Sequence, residues 1–478
     1  MAWSKTSAAE AGLAPALDAP PVSGAYFALL VLFSMNLLNY VDRYVFYSVG
    51  EVMSGELGFN DFWFGVLSSS FMVVYTLVSP VMGYLGDRRS RTRLLAMGVG
   101  LWSLATVGTA TAGWITGWNH LEMFFWRALL GVGEASYGVI APTLLADLFH
   151  PRLRGRVIGL FYLALPMGGA IGYGLGGWIG YHLGWRNAFL VVGLPGIVAA
   201  AAALLIRDPG RGASEGGHTH ASSQPSGWSD YLGFFRNRTF LLNTAGLTAV
   251  TFATGAYAVW GATFYQRVHG LGVKEAGKWI GGLTLMAGLL GIGLGMWLPD
   301  LLRKVTRRAY LFWAGAAVAL ATPLGMAGLL ATDTNTSLSL IFLAMILLAS
   351  VLGPCNTVTA DIVPANRRAA GFALSIFLLH LFGDIASPPL IGWLSILFGR
   401  EPLASSAVSQ GLEAIGHGPI IASDGTITNM TIGMLSLVPM LALGALFFLL
   451  GARYLPEDQH EARVHSEGVL AGDDSFPH

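Results

Sequence analysis

Long apolar runs alternate along the chain with short gaps into which the charges are crowded. The runs are about 20 residues or longer, the length an α-helix needs to cross ~30 Å of hydrocarbon at ~1.5 Å per residue. They predict spans near residues 25–48, 62–83, 94–116, 122–147, 157–180, 188–206, 241–265, 278–299, 309–330, 337–360, 369–394 and 431–453. The expected fold class is therefore an all-α membrane protein with twelve transmembrane helices. Helix ends read this way are placed to within a few residues.

Composition agrees with the pattern. The chain is 54% hydrophobic and only 11% charged, against roughly 25% charged in an average soluble domain. Its 27 basic and 27 acidic residues cancel, so bulk charge points to no nucleic-acid partner. The expected partner at this point is the bilayer itself, with the monomer as the functional unit. Cys355 is the single cysteine, which excludes an internal disulfide. Residues 1–24 lack a short apolar core followed by a cleavage site, and read as a disordered cytoplasmic tail.

Arginines and lysines favour the cytoplasmic side of a membrane. Arg88, Arg89, Arg91 and Arg93 follow the second span; Arg152, Arg154 and Arg156 follow the fourth. Arg303, Lys304, Arg307 and Arg308 follow the eighth, and Arg367 and Arg368 the tenth. Acidic Glu51, Glu56, Asp61 and Asp333 lie in alternate gaps. Both termini are thus expected in the cytoplasm, in the inner membrane if the cell is prokaryotic. Arg267, Lys274 and Lys278 fit this poorly, because they fall on the outer side.

The spans divide into two bundles, 25–206 and 241–454, with a cytoplasmic linker at 207–240 and a tail at 455–478. The stretch RDPGRGASEGGHTHASSQPSG is rich in Gly and Ser and reads as flexible. GWSDYLGFFRNRTFL, after it, reads as a short amphipathic helix at the interface. His218 and His220 in the linker are too few for a metal site, which needs three or four convergent ligands. The two bundles repeat. Asp87 and Asp300, Asp147 and Asp361, and Gly177 and Gly392 match at offsets of about 214 residues. Parallel repeats of this kind build transporters with a central site.

Here the chain resembles a known group. G-Y-L-G-D-R-R-S-R (83–91) resembles the loop signature of the major facilitator superfamily, and R-A-L-L-G-V-G-E-A (127–135) its fourth-helix signature. RALLGVGEASYGVIAPTLLADLF, NLLNYVDRYV and FYLALPMGGAIGYGLGG together look like the Spinster family of lipid transporters. The N-Y-x-D-R element alone is also similar to organic-anion/proton symporters of the same superfamily. The superfamily resemblance implies two pseudo-symmetric six-helix bundles and a cytoplasmic gate. Its candidate residues are Gly83, Asp87, Arg88, Arg91, Asp147, Arg154, Asp300, Arg303 and Asp361, with Asp87 reaching the eleventh span.

A charge deep in a bilayer costs several kcal/mol unless it faces a partner or a cavity. The first span nevertheless carries Asp42 and Arg43, and the fourth carries Arg127 and Glu134. Neighbours in a helix point about 100° apart, so Asp42 and Arg43 cannot simply neutralise each other. Arg127 and Glu134, seven apart, share a face, with Gly131 and Gly133 beside them allowing another helix close. The expectation is a polar cluster in which the arginines choose among Asp42, Glu134 and a substrate anion. The alternative is a static salt-bridge network. Protons are the expected coupling ion, and no other cofactor is called for. His380 and Asp384, four apart on the eleventh span, form a second candidate proton site.

The seventh and tenth spans carry no charge. If the corresponding helices line one cavity, as the resemblance implies, Asn39, Tyr40 and Tyr47 form one wall, with Tyr257 and Trp260 on the apolar other. An anionic amphiphile fits such a cavity better than a sugar does. The expected function is proton-coupled, alternating-access transport of a lysophospholipid or sphingosine-phosphate-like lipid. Two alternatives stand: a small organic-anion or drug transporter, and a lipid-sensing receptor that moves nothing. No HExxH motif or soluble domain is present, so the chain is not expected to be an enzyme. Finally, Gly168, Gly172, Gly176 and Gly180 make a glycine face on the fifth span, and Gly277/Gly281 and Gly291/Gly295 pairs lie on the eighth. These faces predict that the fifth and eighth spans meet.

Overall fold

The computed structural model describes residues 22–115, 117–210, 233–363 and 367–471, leaving aside the side chains of 151–152, 369 and 463–471. The linker histidines, residues 227–232 of the amphipathic stretch and nearly all of the amino-terminal tail lie outside the described residues. The first half runs α1 (Ala25–Ser48), α2 (Gly50–Leu57), α3 (Asp61–Arg88), α4 (Arg91–Thr109), α5 (Asn119–Leu148), α6 (Pro151–Tyr162), α7 (Ala164–Leu183) and α8 (Trp185–Ala203). The second runs α9 (Arg238–Arg267), α10 (Val273–Arg303), α11 (Ala309–Leu330), α12 (Thr334–Ala349), α13 (Leu352–Ile362) and α14 (Arg368–Leu379). A π-helical turn (His380–Asp384) then leads to α15 (Ser387–Phe398) and α16 (Ala407–Ala414). Strands β1 (Ile420–Ile421) and β2 (Ile427–Thr428), α17 (Met430–Leu435) and α18 (Leu437–Ala471) complete the described chain.

Ten helices among the described residues are long and apolar enough to cross a membrane. The third and seventh expected spans are helices too, α4 and α9, but fall outside that set. Both carry polar residues, such as Thr106 on α4 and Asn243 on α9, that are buried inside the protein instead of facing lipid. The last helix continues to Ala471, well past the expected end of its span near residue 453.

Helix starts follow local chemistry. The side chains of Asn237, Asp333 and Asn429 each accept a hydrogen bond from the amide three residues on, opening α9, α12 and α17. Gly184, at φ +86°, makes the sharp turn between α7 and α8. The all-α expectation needs one amendment. β1 and β2 pair antiparallel, Ile420 opposite Thr428 and Ile421 opposite Ile427. The Asp424-Gly425 dipeptide between two short apolar segments is a hairpin signal.

The chain forms two compact units. They do not coincide with 25–206 and 241–454, because Phe46–Ser69 and Tyr173–His182 belong with the second unit. These are the ends of α1, α3 and α7 remote from the arginine-rich gaps.

In the first unit, α5 is seated by glycine. A Cβ on Gly131 would lie 2.4 Å from the Phe71 carbonyl oxygen of α3, and one on Gly133 2.6 Å from the Gly98 carbonyl oxygen of α4. α5 therefore touches two neighbouring backbones, as the glycines beside Glu134 suggest. Tyr137 Oη also donates to Leu32 O of α1 at 2.7 Å.

The glycine face of the fifth span behaves differently from expectation. Gly168 and Gly172 lie against Tyr40, Val41 and Tyr44 of α1, and Gly180 against Val49 and Val273. Gly177, one residue off that face, is the one that meets Gly277 of α10 within the second unit. Gly291 and Gly295 pack instead on Ile346, Ala349 and Ser350. The helices do meet, chiefly through Gly177 and Gly277 with Gly180 beside Val273, while Gly168 and Gly172 of the four-residue repeat serve α1, whose bulky residues need the room.

Gly133→Leu should cost about 1–3 kcal/mol, since its side chain would overlap backbone and the Trp102 side chain. Thermal unfolding of the purified protein in detergent checks this; an unchanged midpoint would contradict the close seating of α5.

Candidate functional site

Asp42, Arg127 and Glu134 are 3%, 1% and 1% exposed. Arg43 donates from Nη2 to Glu134 Oε2 at 2.6 Å, joining α1 to α5. Asp42, the adjacent residue, turns to α4, where its Oδ2 accepts from Thr106 Oγ1 at 2.6 Å. The neighbouring acid and base thus serve different helices, as the 100° step requires. Charge-assisted bonds of this length are the strong ones. Glu134 Oε1 is buried with no hydrogen-bond partner among the described residues.

The guanidinium of Arg43 lies 4.7 Å from the centre of the Phe71 ring, and that of Arg127 lies 4.5 Å from the same ring. Tyr40 is a further ring neighbour of Arg43, at 5.3 Å. All these residues belong to the first unit. Asn39 is buried on α1, and Asn36 one turn earlier donates to Phe161 O at 2.8 Å. Tyr47 is buried in the second unit, its ring edge-on to Phe46.

Tyr257 lines an apolar cavity inside the second unit with Met326, Ile341, Leu348 and Leu441. Trp260 is 1% exposed; its Nε1 donates to Pro388 O at 3.0 Å and its ring meets Phe64 edge-on. In this structure Trp260 is enclosed by protein. The His380–Asp384 pair is made: Nδ1 lies 3.1 Å from both carboxylate oxygens. The π-helical turn spanning these two residues carries them, a distortion that recurs at functional sites. Gly255 of α9 allows the close approach of Asp384, whose Cβ would lie 2.7 Å from an added methyl.

The gate residues separate into small groups. Arg91, 4% exposed, pairs with Asp147 and with Asp208, which the sequence reading did not include. Arg154 Nε donates to Ala146 O at 2.8 Å, and Arg368 Nε donates to Ala360 O at 2.9 Å. These two bonds sit 214 residues apart, at the offset the sequence repeat gives. Tyr310 Oη donates to Asp300 at 2.8 Å and accepts from Arg303 at 3.3 Å. Gln459 donates to Asp361 at 3.1 Å. Arg88 contacts Tyr84, while a Cβ on Gly83 would meet Val139 at an ordinary 3.7 Å and Asp87 is exposed at the end of α3. Burial works against the Asp208 carboxylate, but the bonds from Arg91 and the Gly210 amide outweigh it and hold its carboxyl below the usual range. A depressed carboxyl stabilises the fold above its unfolded pKa and loses that effect only as pH falls below about 4.

The largest omission from the sequence reading is at the opposite end. Arg267, the residue that fitted the topology poorly, donates to Glu51 Oε2 at 2.7 Å and to both oxygens of Asp61 at 2.8 and 2.9 Å. Arg267 and Asp61 are 6% and 2% exposed. The misplaced basic charge was the signal, since two acids in the first gap stood ready to neutralise it. Ser423, in the β1–β2 turn, donates to Glu51 from both its amide (3.2 Å) and its hydroxyl (2.8 Å). Gly65 and Gly392 let α3 and α15 touch beside this cluster. All of it lies within the second unit.

Long apolar helices with buried ion pairs between them make a multi-pass membrane fold, and the comparisons give its class. The model of the Major Facilitator Superfamily matches residues 32–388. Protein spinster of Drosophila melanogaster is 35% identical over 389 residues, 77% of this chain and 62% of that protein. Protein spinster homolog 1 of Homo sapiens is 32% identical over 463 residues, 92% of this chain and 83% of that protein. The crystal structure of a bacterial homolog to human lysosomal transporter Spinster, inward-facing and unoccupied, superposes with a TM-score of 0.76 at 22% identity. That match covers 92% of this chain and 99% of the other and shows the shared fold. The chain belongs to the Spinster family of the major facilitator superfamily, and is a multi-pass membrane transporter.

Arg267→Gln should destabilise the protein by about 3–5 kcal/mol, because it leaves Asp61 buried and uncompensated. Adding Asp61→Asn should recover part of the loss, and a double-mutant cycle on thermal midpoints reads the coupling. Asp208→Asn should lower the midpoint at neutral pH yet leave the shape of the transport pH profile between 5 and 8 unchanged; a shifted profile would contradict the depressed carboxyl.

Proposed function

We propose that the protein is a proton-coupled transporter of an anionic amphiphile, a lysophospholipid or sphingosine-phosphate-like lipid. It works by alternating access through twelve spans in two six-helix bundles, with both termini cytoplasmic. The observation that carries the reading is the Arg43–Glu134 pair with its unpartnered Oε1. A proton on Oε1 neutralises Glu134 and cancels the ionic part of its hold on Arg43. The freed guanidinium then recruits the head-group anion, so proton and anion bind as co-ligands. Arg43, with 18% of its side chain exposed, is the reachable member of the pair; Glu134 is sealed.

Asp42 contributes a second carboxylate beside this site, held by Thr106 until it too is protonated. His380 and Asp384 form a separate relay in the second unit. The amphiphile class is supported by family membership and by α9, which carries Tyr257, Trp260 and Phe264 and no charge between its terminal arginines. At the opposite end, assigned to the outside, the Arg267–Asp61–Glu51 cluster holds α2 and the ends of α3 and α9 together. At the cytoplasmic end, Arg91, Asp147, Arg154, Asp300, Arg303 and Asp361 anchor the loops that form the gate.

The reading is tested by flux into proteoliposomes. A labelled lysolipid and a small labelled carboxylate are compared with and without an imposed pH gradient. The lysolipid should accumulate only with the gradient. Glu134→Gln and Asp42→Asn should each abolish the response to the gradient while folding normally. Unchanged pH dependence in both variants would identify a static network, and preference for the carboxylate would select the small organic-anion alternative.

A further inference from the structure

Arg43 and Arg127 come from different helices, yet both guanidiniums rest against one aromatic ring, Phe71 of α3, at 4.7 and 4.5 Å from its centre. Phe71 is 2% exposed and its backbone is fixed. Its carbonyl oxygen would lie 2.4 Å from a Cβ on Gly131, which stands one helical turn from Arg127 on α5. The ring is therefore not a loose filler between two charges; the α3–α5 crossing sets its position. The negative face of an aromatic ring attracts cations, most strongly where water is excluded. The ring also does not titrate.

We propose that Phe71 is a positioning residue of the head-group site, its ring holding the Arg43 and Arg127 guanidiniums in place when the Arg43–Glu134 pair opens. The inference rests on the head-group reading above. When Glu134 takes a proton, Arg43 loses an ionic partner in a low-dielectric site. Its ring neighbours, Phe71 and Tyr40, then keep it from turning toward water, and Phe71 is the ring it shares with Arg127. The ring keeps it beside Arg127, so a phosphate-type head group meets two guanidiniums at a fixed separation. The role is positional, since Phe71 itself offers nothing to hydrogen-bond an anion.

The test replaces Phe71 in the full-length protein with mono-, di- and trifluorophenylalanine, which weaken the ring's negative face step by step with little change in size. Gradient-driven lysolipid uptake is measured in proteoliposomes alongside Phe71→Leu and Arg43→Gln. The apparent KM for the lysolipid should rise with each fluorine, reaching about tenfold in Phe71→Leu, while thermal midpoints of the fluorinated proteins stay level. A flat series in which Arg43→Gln has lost uptake overturns the role of Phe71 and leaves the head-group reading standing. Full uptake by Arg43→Gln overturns both.

Discussion

A charged side chain buried in a membrane protein holds its place only while a partner holds it. The Arg43–Glu134 ion pair is where that constraint bears hardest. Removing water from both ions is expensive, and their mutual attraction offsets the cost only at good geometry. At 2.6 Å the geometry is good. The rest of the first unit arranges itself around the requirement. Glycines on α5 bring in the backbones of α3 and α4, and those helices supply Phe71 and Thr106 to the second arginine and the second acid. A site with two acids and two bases in low dielectric is stable as a whole and sensitive in its parts.

The same logic operates at both ends of the helices. Arg267 is tolerated away from the other arginine-rich gaps because Glu51 and Asp61 surround it. Arg91 is buried at the other end because Asp147 and Asp208 meet it there. In each case one arginine gathers two carboxylates, and in each case the partners come from segments far apart in sequence. Ionic clusters of this kind fix which helix ends belong together. They also make those ends separable as discrete events, because a buried pair is either made or broken.

Much of this was legible in the residues. Apolar run length located the helices, in two cases (25–48 and 309–330) to the residue. Helical spacing correctly sent Asp42 and Arg43 in different directions, and the 214-residue offset recurs in the matched Arg154 and Arg368 carbonyl bonds. What stayed hidden depended on tertiary pairing. Thr106 and Phe71 are ordinary residues in apolar helices until a neighbour brings a charge to them. The glycine repeat of α7 announced close packing but not its partner, since any helix with bulky residues could fill the groove. The π-helical turn under His380 has no composition signal; the backbone pattern around it looks like any other helix.

The seating of α5 has a mechanical consequence. With backbone against backbone on two sides, that helix has no room to roll or slide without lifting its neighbours. The partner exchange proposed for Arg43 therefore needs only rotation about the arginine's own single bonds, with the helices standing still. In that proposal the exchange of partners and the slower, microsecond-scale movement of whole helices are separate events, one carried by a side chain and the other by the backbone.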